Sequence, residues 1–205
     1  MKWKDYAASV GISVKKPMFT TTCTGILLTP NVVLTAAHCV DDFISAQVTT
    51  APRLADGVLA HEVVRGVMHP GYKGNVVGKS VDLGLFFLAT PIKTDFEAPI
   101  LAAVNPKLRF ERIGYGIRNG RNVRTWVTSF FQKWFGGHVK TTDEHGMGGD
   151  SGGPVFQRQP SGLRLVGVHT GREVRGGKLA QSSYIQTLGE SEITWIREQM
   201  AKSIL

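Results

Sequence analysis

Short apolar or alternating runs, each closed off by glycine, proline, asparagine or aspartate, recur along most of this chain. They cover Ala8 to Val14, Gly25 to Leu28, Val32 to Ala36, Val63 to Met68, Leu83 to Leu88, Val123 to Phe131, Val155 to Phe156 and Leu163 to His169. Runs this short cannot build a helical core, and frequent turn signals between them predict an all-β barrel or sandwich. Pro99 and Pro106 punctuate an apolar linker near residues 96–106, so one β-rich half falls in residues 1–98 and the other in 99–205. A helix is predicted only at the C terminus, over residues 191–203. There Ile193, Ile196, Met200 and Ile204 step by three, four and four and make one apolar stripe. Ser191 is the expected N-cap, with Glu192 near the positive end of the helix dipole. This helix is read as a cover for a barrel, without a chemical role.

Length and composition narrow the classes. A chain of 205 residues holds one large domain or two small ones sharing an interface. Its 42% hydrophobic and 20% charged content excludes a disordered chain, and no apolar run is long enough to span a membrane. Met1-Lys2-Trp3-Lys4-Asp5 is not followed by an apolar stretch, so no signal peptide is visible. The formal charge of +8 favours acidic partners, nucleic acid or an acidic polypeptide, although a merely basic surface is the simplest account. Cys23 and Cys39 flank two β-type runs around a Pro30-Asn31 turn, a hairpin able to bring its ends together. A bridge there would contribute about 3 kcal/mol and would point to a secreted or periplasmic protein. A pair of free buried thiols is the alternative in a reducing cytosol.

Chemistry concentrates in Gly148-Gly149-Asp150-Ser151-Gly152-Gly153-Pro154. Four glycines around one Asp-Ser pair allow a turn that exposes a hydroxyl and aims backbone N–H groups at one point. Upstream, Ala36-Ala37-His38-Cys39 places an imidazole at the end of a buried strand. Asp82 is the only charge in Ser80-Val81-Asp82-Leu83-Gly84-Leu85-Phe86-Phe87-Leu88. A buried carboxylate needs a partner, and a histidine N–H is a suitable one.

Three segments, Thr35-Ala36-Ala37-His38-Cys39, Asp82-Leu83-Gly84-Leu85 and Gly149-Asp150-Ser151-Gly152-Gly153-Pro154, resemble the signatures of trypsin-like (chymotrypsin-fold) serine proteases. They follow that family's order His, Asp, Ser. The likeness extends to His69-Pro70-Gly71-Tyr72, Gly114-Tyr115-Gly116 and Tyr184, and to the Thr194-Trp195-Ile196 helix. The resemblance implies two six-stranded antiparallel β-barrels with a C-terminal helix, and a serine-type endopeptidase that needs no cofactor or metal. It implies His38, Asp82 and Ser151 as the catalytic triad, the backbone of Gly149 and Ser151 as the oxyanion hole, and Thr170 supporting Asp82 from behind. It also implies a Cys23–Cys39 disulfide. In that family the Asp before the nucleophile pairs with a freed apolar N-terminus. Asp150 is present, but no Ile-Val-Gly-Gly-type start is. A Lys or Arg, the Met1 amine, or histidine and backbone donors are each open as its partner.

The position six before the nucleophile, where trypsin-like specificity has an aspartate, is His145. A preference for Lys or Arg is therefore not expected. Gly167-Val168-His169-Thr170-Gly171 is similar to the Gly-x-His-x-Gly wall of glutamyl endopeptidases and of small RNA-virus proteases, whose histidine reads Glu or Gln. With strand alternation, Thr170 facing the triad turns His169 toward the pocket. The expected pocket is His145, Gly146, His169, Gly171 and Ser182, preferring Glu or Gln before the scissile bond. The expected partner is a polypeptide substrate bound by a monomer. A catalytically silent homologue binding partners through its basic face is the competing reading.

Arg109, Arg112, Arg118, Arg121 and Arg124 precede Trp126, Phe130, Phe131, Trp134 and Phe135. Such interleaving can bind single-stranded nucleic acid. The favoured reading is a strand pair with aromatics inward and arginines in water, so no nucleic-acid partner is expected. His61 and His69 with Glu62 fit no zinc spacing and are expected in loops without metal.

Overall fold

The computed structural model describes residues 6–56, 60–74, 76–93 and 95–202. Its first half runs β1 (Ser9–Lys15), β2 (Thr20–Thr29), β3 (Val32–Thr35), α1 (Ala37–Val40), β4 (Ser45–Thr49), β5 (His61–Met68) and β6 (Gly84–Leu88). These six strands close into a barrel in the order β1-β2-β3-β6-β5-β4. Val10, Ile12 and Val14 alternate along β1 into its interior, together with Ile26, Leu34, Leu85 and Phe86. The β2–β3 hairpin turns at Pro30-Asn31, and Cys23 and Cys39 at its two ends are bridged.

The second half contains β7 (Phe110–Gly114), β8 (Ile117–Arg118), β9 (Arg121–Asn122), β10 (Thr125–Ser129), β11 (Phe131–Phe135), β12 (His138–Thr141), β13 (Pro154–Gln159), β14 (Gly162–Arg175), β15 (Lys178–Thr187) and α2 (Glu190–Ala201). All but β8 and β9 form one antiparallel sheet in the order β10-β7-β13-β14-β15-β12-β11. The all-β architecture with a C-terminal helix is as expected. The second half, however, has seven strands in its sheet, where the family pattern led us to expect six. The extra strand arises because Val123 to Phe131 breaks at the exposed Phe130, giving β10 and β11 at opposite sheet edges.

One apolar cluster fills the barrel and continues through Ile113, Phe156, Leu165 and Val168 to Leu188, Trp195 and Ile196. The C-terminal helix therefore packs back toward the first half, where Trp195 meets His69 edge-on at 4.9 Å. Its N-cap is Gly189, not Ser191, and Glu192 Oε2 accepts from the Gly189 N–H at 2.9 Å. Ser191 lies one residue inside the helix and donates to Glu192 Oε1. Ile193, Ile196 and Met200 keep the expected apolar face, while Ile204 lies outside the described residues.

The basic and aromatic stretch keeps its expected facing at Trp126 and Phe131, which pack against the core, and at the exposed Arg109 and Arg121, and departs from it elsewhere. Phe130, just before β11, is exposed, and so are Trp134 and Phe135 within it, because β11 is an edge strand with only one neighbour. Arg112, in the interior strand β7, is 2% exposed. His61 belongs to β5, not to a loop, and its Nδ1 lies near the Thr90 hydroxyl.

Candidate active site

His38 sits in α1, the single turn that follows β3, and the disulfide fixes its neighbour Cys39. Two bonds tie it to Asp82. Its backbone N–H donates to Asp82 Oδ1 at 2.9 Å, and its ring Nδ1 lies 2.8 Å from Asp82 Oδ2. Asp82, 4% exposed, precedes β6, the strand that pairs with β3, so the sheet register itself delivers the carboxylate to the imidazole. The Asp82 N–H donates to Gln186 Oε1 at 3.0 Å. Gln186 was missed in the sequence because an amide in a polar strand carries no signal of its own. Thr170 lines the same cleft as Asp82, but its hydroxyl donates to the Tyr184 carbonyl at 3.2 Å.

Ser151 reaches the same place through β2. The Thr24 N–H donates to the Ser151 carbonyl at 2.7 Å, and the Cys39 sulfur lies 3.8 Å from that oxygen. His38 has a ring nitrogen within 4.8 Å of both bridged sulfurs. Gly152, at φ +79°, presses against Thr35 and the Thr24 carbonyl, and a Cβ there would collide with both. The Ser151 loop and the His38 turn thus meet across the disulfide. Among the described residues Ser151 Oγ makes no hydrogen bond.

The loop's peptide planes are fixed by their carbonyls. Thr24 Oγ1 donates to the Gly149 carbonyl at 2.7 Å, the Ile117 N–H to Gly148 at 2.9 Å, and the Gly153 N–H to Asp150 at 3.0 Å. Gly149 takes φ +101°, a conformation that disfavours side chains. Among the described residues, the N–H groups of Gly149 and Ser151 have no acceptor. Thr24, a hub joining barrel to loop, was also unmarked in the sequence.

Asp150 is fully buried and lies 3.0 Å from both Arg112 and Arg118. It also accepts from the Gly116 N–H at 2.7 Å and the Met147 N–H at 2.9 Å. Arg112 Nε donates to Asp143 at 2.8 Å, and its terminal nitrogens make close ion-pair contacts with Asp143 and Asp150 without linear hydrogen bonds. Burial, the largest influence on each, would raise both carboxyls, but the surrounding charges and hydrogen-bond donors, Arg112 first among them, together outweigh it and hold them below the usual carboxylate value. Of the partners left open for Asp150, arginines and backbone donors are those present among the described residues.

The two pocket histidines part company. His145 has a side chain 64% exposed beside Glu144, because its loop runs at the surface, so it does not form a closed pocket floor. His169 is 2% exposed, and among the described residues neither ring nitrogen has a hydrogen-bond partner. Burial first, then the positive charge of Arg112, pushes it down to about 4, so it is neutral at pH 7. Gly146 is pressed by Arg172, whose Nη1 donates to the Gly146 carbonyl at 3.3 Å. Ser182 donates to Glu173 at 2.6 Å, and Glu173 pairs with Lys140 at 2.7 Å. Gly171, Arg172 and Glu173 line a cleft of about 550 Å³ that also exposes Asp82 and Thr170.

The His169 burial has a measurable consequence. Its folded value of about 4 lies below its ordinary 6.5, so between these the unfolded chain binds a proton that the folded one refuses. Stability is full above about pH 6.5 and falls by about 3 kcal/mol as pH drops toward 4. His69 and His138, lowered chiefly by burial, act in the same direction. Urea midpoints at pH 7 and pH 4.5 should differ in the wild type and differ less in His169→Leu. Equal slopes in both proteins would remove His169 from the effect.

The sequence profile of the trypsin family matches residues 3–188. The chain belongs to the trypsin family. Among curated proteins, it is 27% identical over 209 residues to phenoloxidase-activating enzyme 1 of Spodoptera litura, covering 80% of this chain and 55% of that relative's length. It therefore spans only about half of this insect protein. Chymotrypsin-like elastase family member 1 of Macaca fascicularis is 25% identical and of Rattus norvegicus 26%, covering 89% and 88% of this chain and 80% and 79% of theirs. Among solved structures, an HL collagenase superposes with a TM-score of 0.80 at 17% identity, over 98% of this chain and 96% of its own, which establishes the shared fold. This trypsin-family chain carries the serine-protease fold with the disulfide Cys23–Cys39, and none of its described helices is long and apolar enough to cross a membrane.

Proposed function

We propose that this trypsin-family chain is a serine endopeptidase with His38, Asp82 and Ser151 as its catalytic triad, acting on polypeptides in a secreted or periplasmic setting. The observation that carries the reading is the double tie between His38 and Asp82 beside a Ser151 loop whose Gly149 and Ser151 N–H groups have no acceptor among the described residues. Ser151 Oγ attacks the scissile carbonyl while His38 Nε2 takes its proton. Asp82, bonded at Nδ1, keeps the tautomer that leaves Nε2 free to accept. The Gly149 and Ser151 N–H groups stabilise the oxyanion, whose charge is worth most in a pre-organised site. His38 then protonates the leaving amine, and water repeats the sequence on the acyl-enzyme. Residues 1–98 supply the acid–base pair and 99–205 the nucleophile, with the cleft between them receiving the substrate.

Arg112 and Arg118 do for Asp150 what a freed N-terminus does elsewhere in the family, so the loop is held without a cleavage step. The preference for an acidic or amide side chain before the scissile bond is retained. A neutral, enclosed His169 cannot supply a charge to it at pH 7, so Gly146, Gly171 and Ser182 remain as its walls. The test is labelling with a fluorophosphonate probe. Stoichiometric modification mapped to Ser151, slowed by peptide substrate, is expected. No modification at neutral pH would favour the silent homologue that binds through its basic face.

A further inference from the structure

Resting on that reading of the site, we propose that Arg172 is the residue that selects an acidic side chain before the scissile bond. Arg172 lies in β14, two residues beyond Thr170, and its aliphatic stem occupies the space that a side chain at Gly146 would need. A Cβ on Gly146 would stand 2.7 Å from Arg172 Cγ, so that glycine and this arginine are mutually fitted. The guanidinium is anchored by carbonyls alone. Nε and Nη2 donate to Ala180 at 3.1 and 2.5 Å, and Nη1 donates to Gly146 at 3.3 Å.

A guanidinium has five N–H donors, so three are used and two remain. Among the described residues, no carboxylate lies within 4.0 Å of it. The surrounding charges do not cancel it. Glu173 is matched by Lys140 and bonded by Ser182, and Asp143 and Asp150 are matched by Arg112 and Arg118. Glu144 stands beside His145 on the exposed rim. One positive charge is therefore left over on the wall of the cleft that holds Asp82 and Thr170. A cation with free donors, already immobilised, is suited to bidentate capture of a carboxylate and pays little ordering entropy to make it. Glutamine offers only one acceptor oxygen and no charge, so glutamate should rank above it.

The experiment compares N-acetylated tetrapeptides that differ only in a C-terminal Glu, Gln or Leu, bound to Ser151→Ala. All three carry the same terminal carboxylate, so their ratio isolates the side chain. The Glu peptide should bind about 10- to 100-fold more tightly than the Leu peptide, as for a charge-assisted pair. Adding Arg172→Ala should abolish most of that ratio, Arg172→Lys should restore part of it, and Lys107→Ala at a distant exposed site should not move it. High salt should shrink it. In the active protein, the Glu-to-Leu ratio of kcat/KM should collapse in the same variants. Three results overturn the assignment: a Glu-to-Leu ratio near one in the parent, a ratio that survives Arg172→Ala, or one lost in His145→Ala instead. Binding to the Ser151→Ala protein needs no turnover, so failure of the protease reading is seen separately, as absence of fluorophosphonate labelling in the wild type.

Discussion

Ser151→Ala is expected to lower kcat by about 10⁶-fold, leaving only what the oxyanion donors and binding supply. The same change should leave the fold intact. Ser151 Oγ makes no hydrogen bond among the described residues, and the residue's one strong tie, from the Thr24 N–H to its carbonyl, belongs to the backbone. Its urea midpoint should therefore correspond to a stability within about 0.5 kcal/mol of wild type. Activity is to be measured on a peptide that the wild type cleaves, with the variant purified separately to avoid carry-over. Residual hydrolysis near the wild-type rate would place the nucleophile elsewhere.

Arg112→Met should have the largest effect on stability. Arg112 is buried and joins two buried carboxylates, Asp143 and Asp150. Its loss leaves Asp143 without a cation within 4.0 Å among the described residues and Asp150 with Arg118 alone. Breaking one side of a buried pair costs about 3–5 kcal/mol, because the remaining charge stays desolvated. The pH dependence gives a check that a packing defect would not show. Both carboxyls are held below their ordinary 3.8 in the fold, so their contribution is present above that value and is lost as pH falls through the folded values. In Arg112→Met the carboxyls rise toward protonation, so the deficit relative to wild type should shrink between pH 7 and pH 3.5. Urea titrations at both pH values test this, and a constant deficit would assign it to packing. Because Asp150 also holds the Gly116 and Met147 N–H groups, kcat should fall as the nucleophile loop loosens.

The exchange of partners at Asp150 explains why one basic residue in a stretch of five matters more than the rest. By sequence, Arg109, Arg112, Arg118, Arg121 and Arg124 looked alike, and a strand of ordinary alternation would have put them in water. Strand β7 is instead an interior strand of its sheet, between β10 and β13, and is buried on both faces, and even Glu111 within it is buried and bonded by Tyr6. Burial on both faces removes the period-two signal that separates inward from outward positions. The reverse holds at β11, an edge strand where Trp134 and Phe135 lack a second neighbour to cover them.

What the sequence by itself determined was the family and the three residues proposed as its reacting groups. His38, Asp82 and Ser151 each stand in a local segment whose glycines, small residues and β-type flanks constrain the backbone around them, so their identity survives being read one segment at a time. The β-strand punctuation and the Cys23–Cys39 hairpin were legible for the same reason. What only the tertiary structure decided was the electrostatic surrounding of those groups: Arg112 and Arg118 on Asp150, Gln186 behind Asp82, Thr24 under the nucleophile loop, and Arg172 beside Gly146. These partners lie dozens of residues away along the chain and meet only when two sheets and a loop close together. Charge interactions depend on distance and burial, and neither quantity is written in the order of the residues.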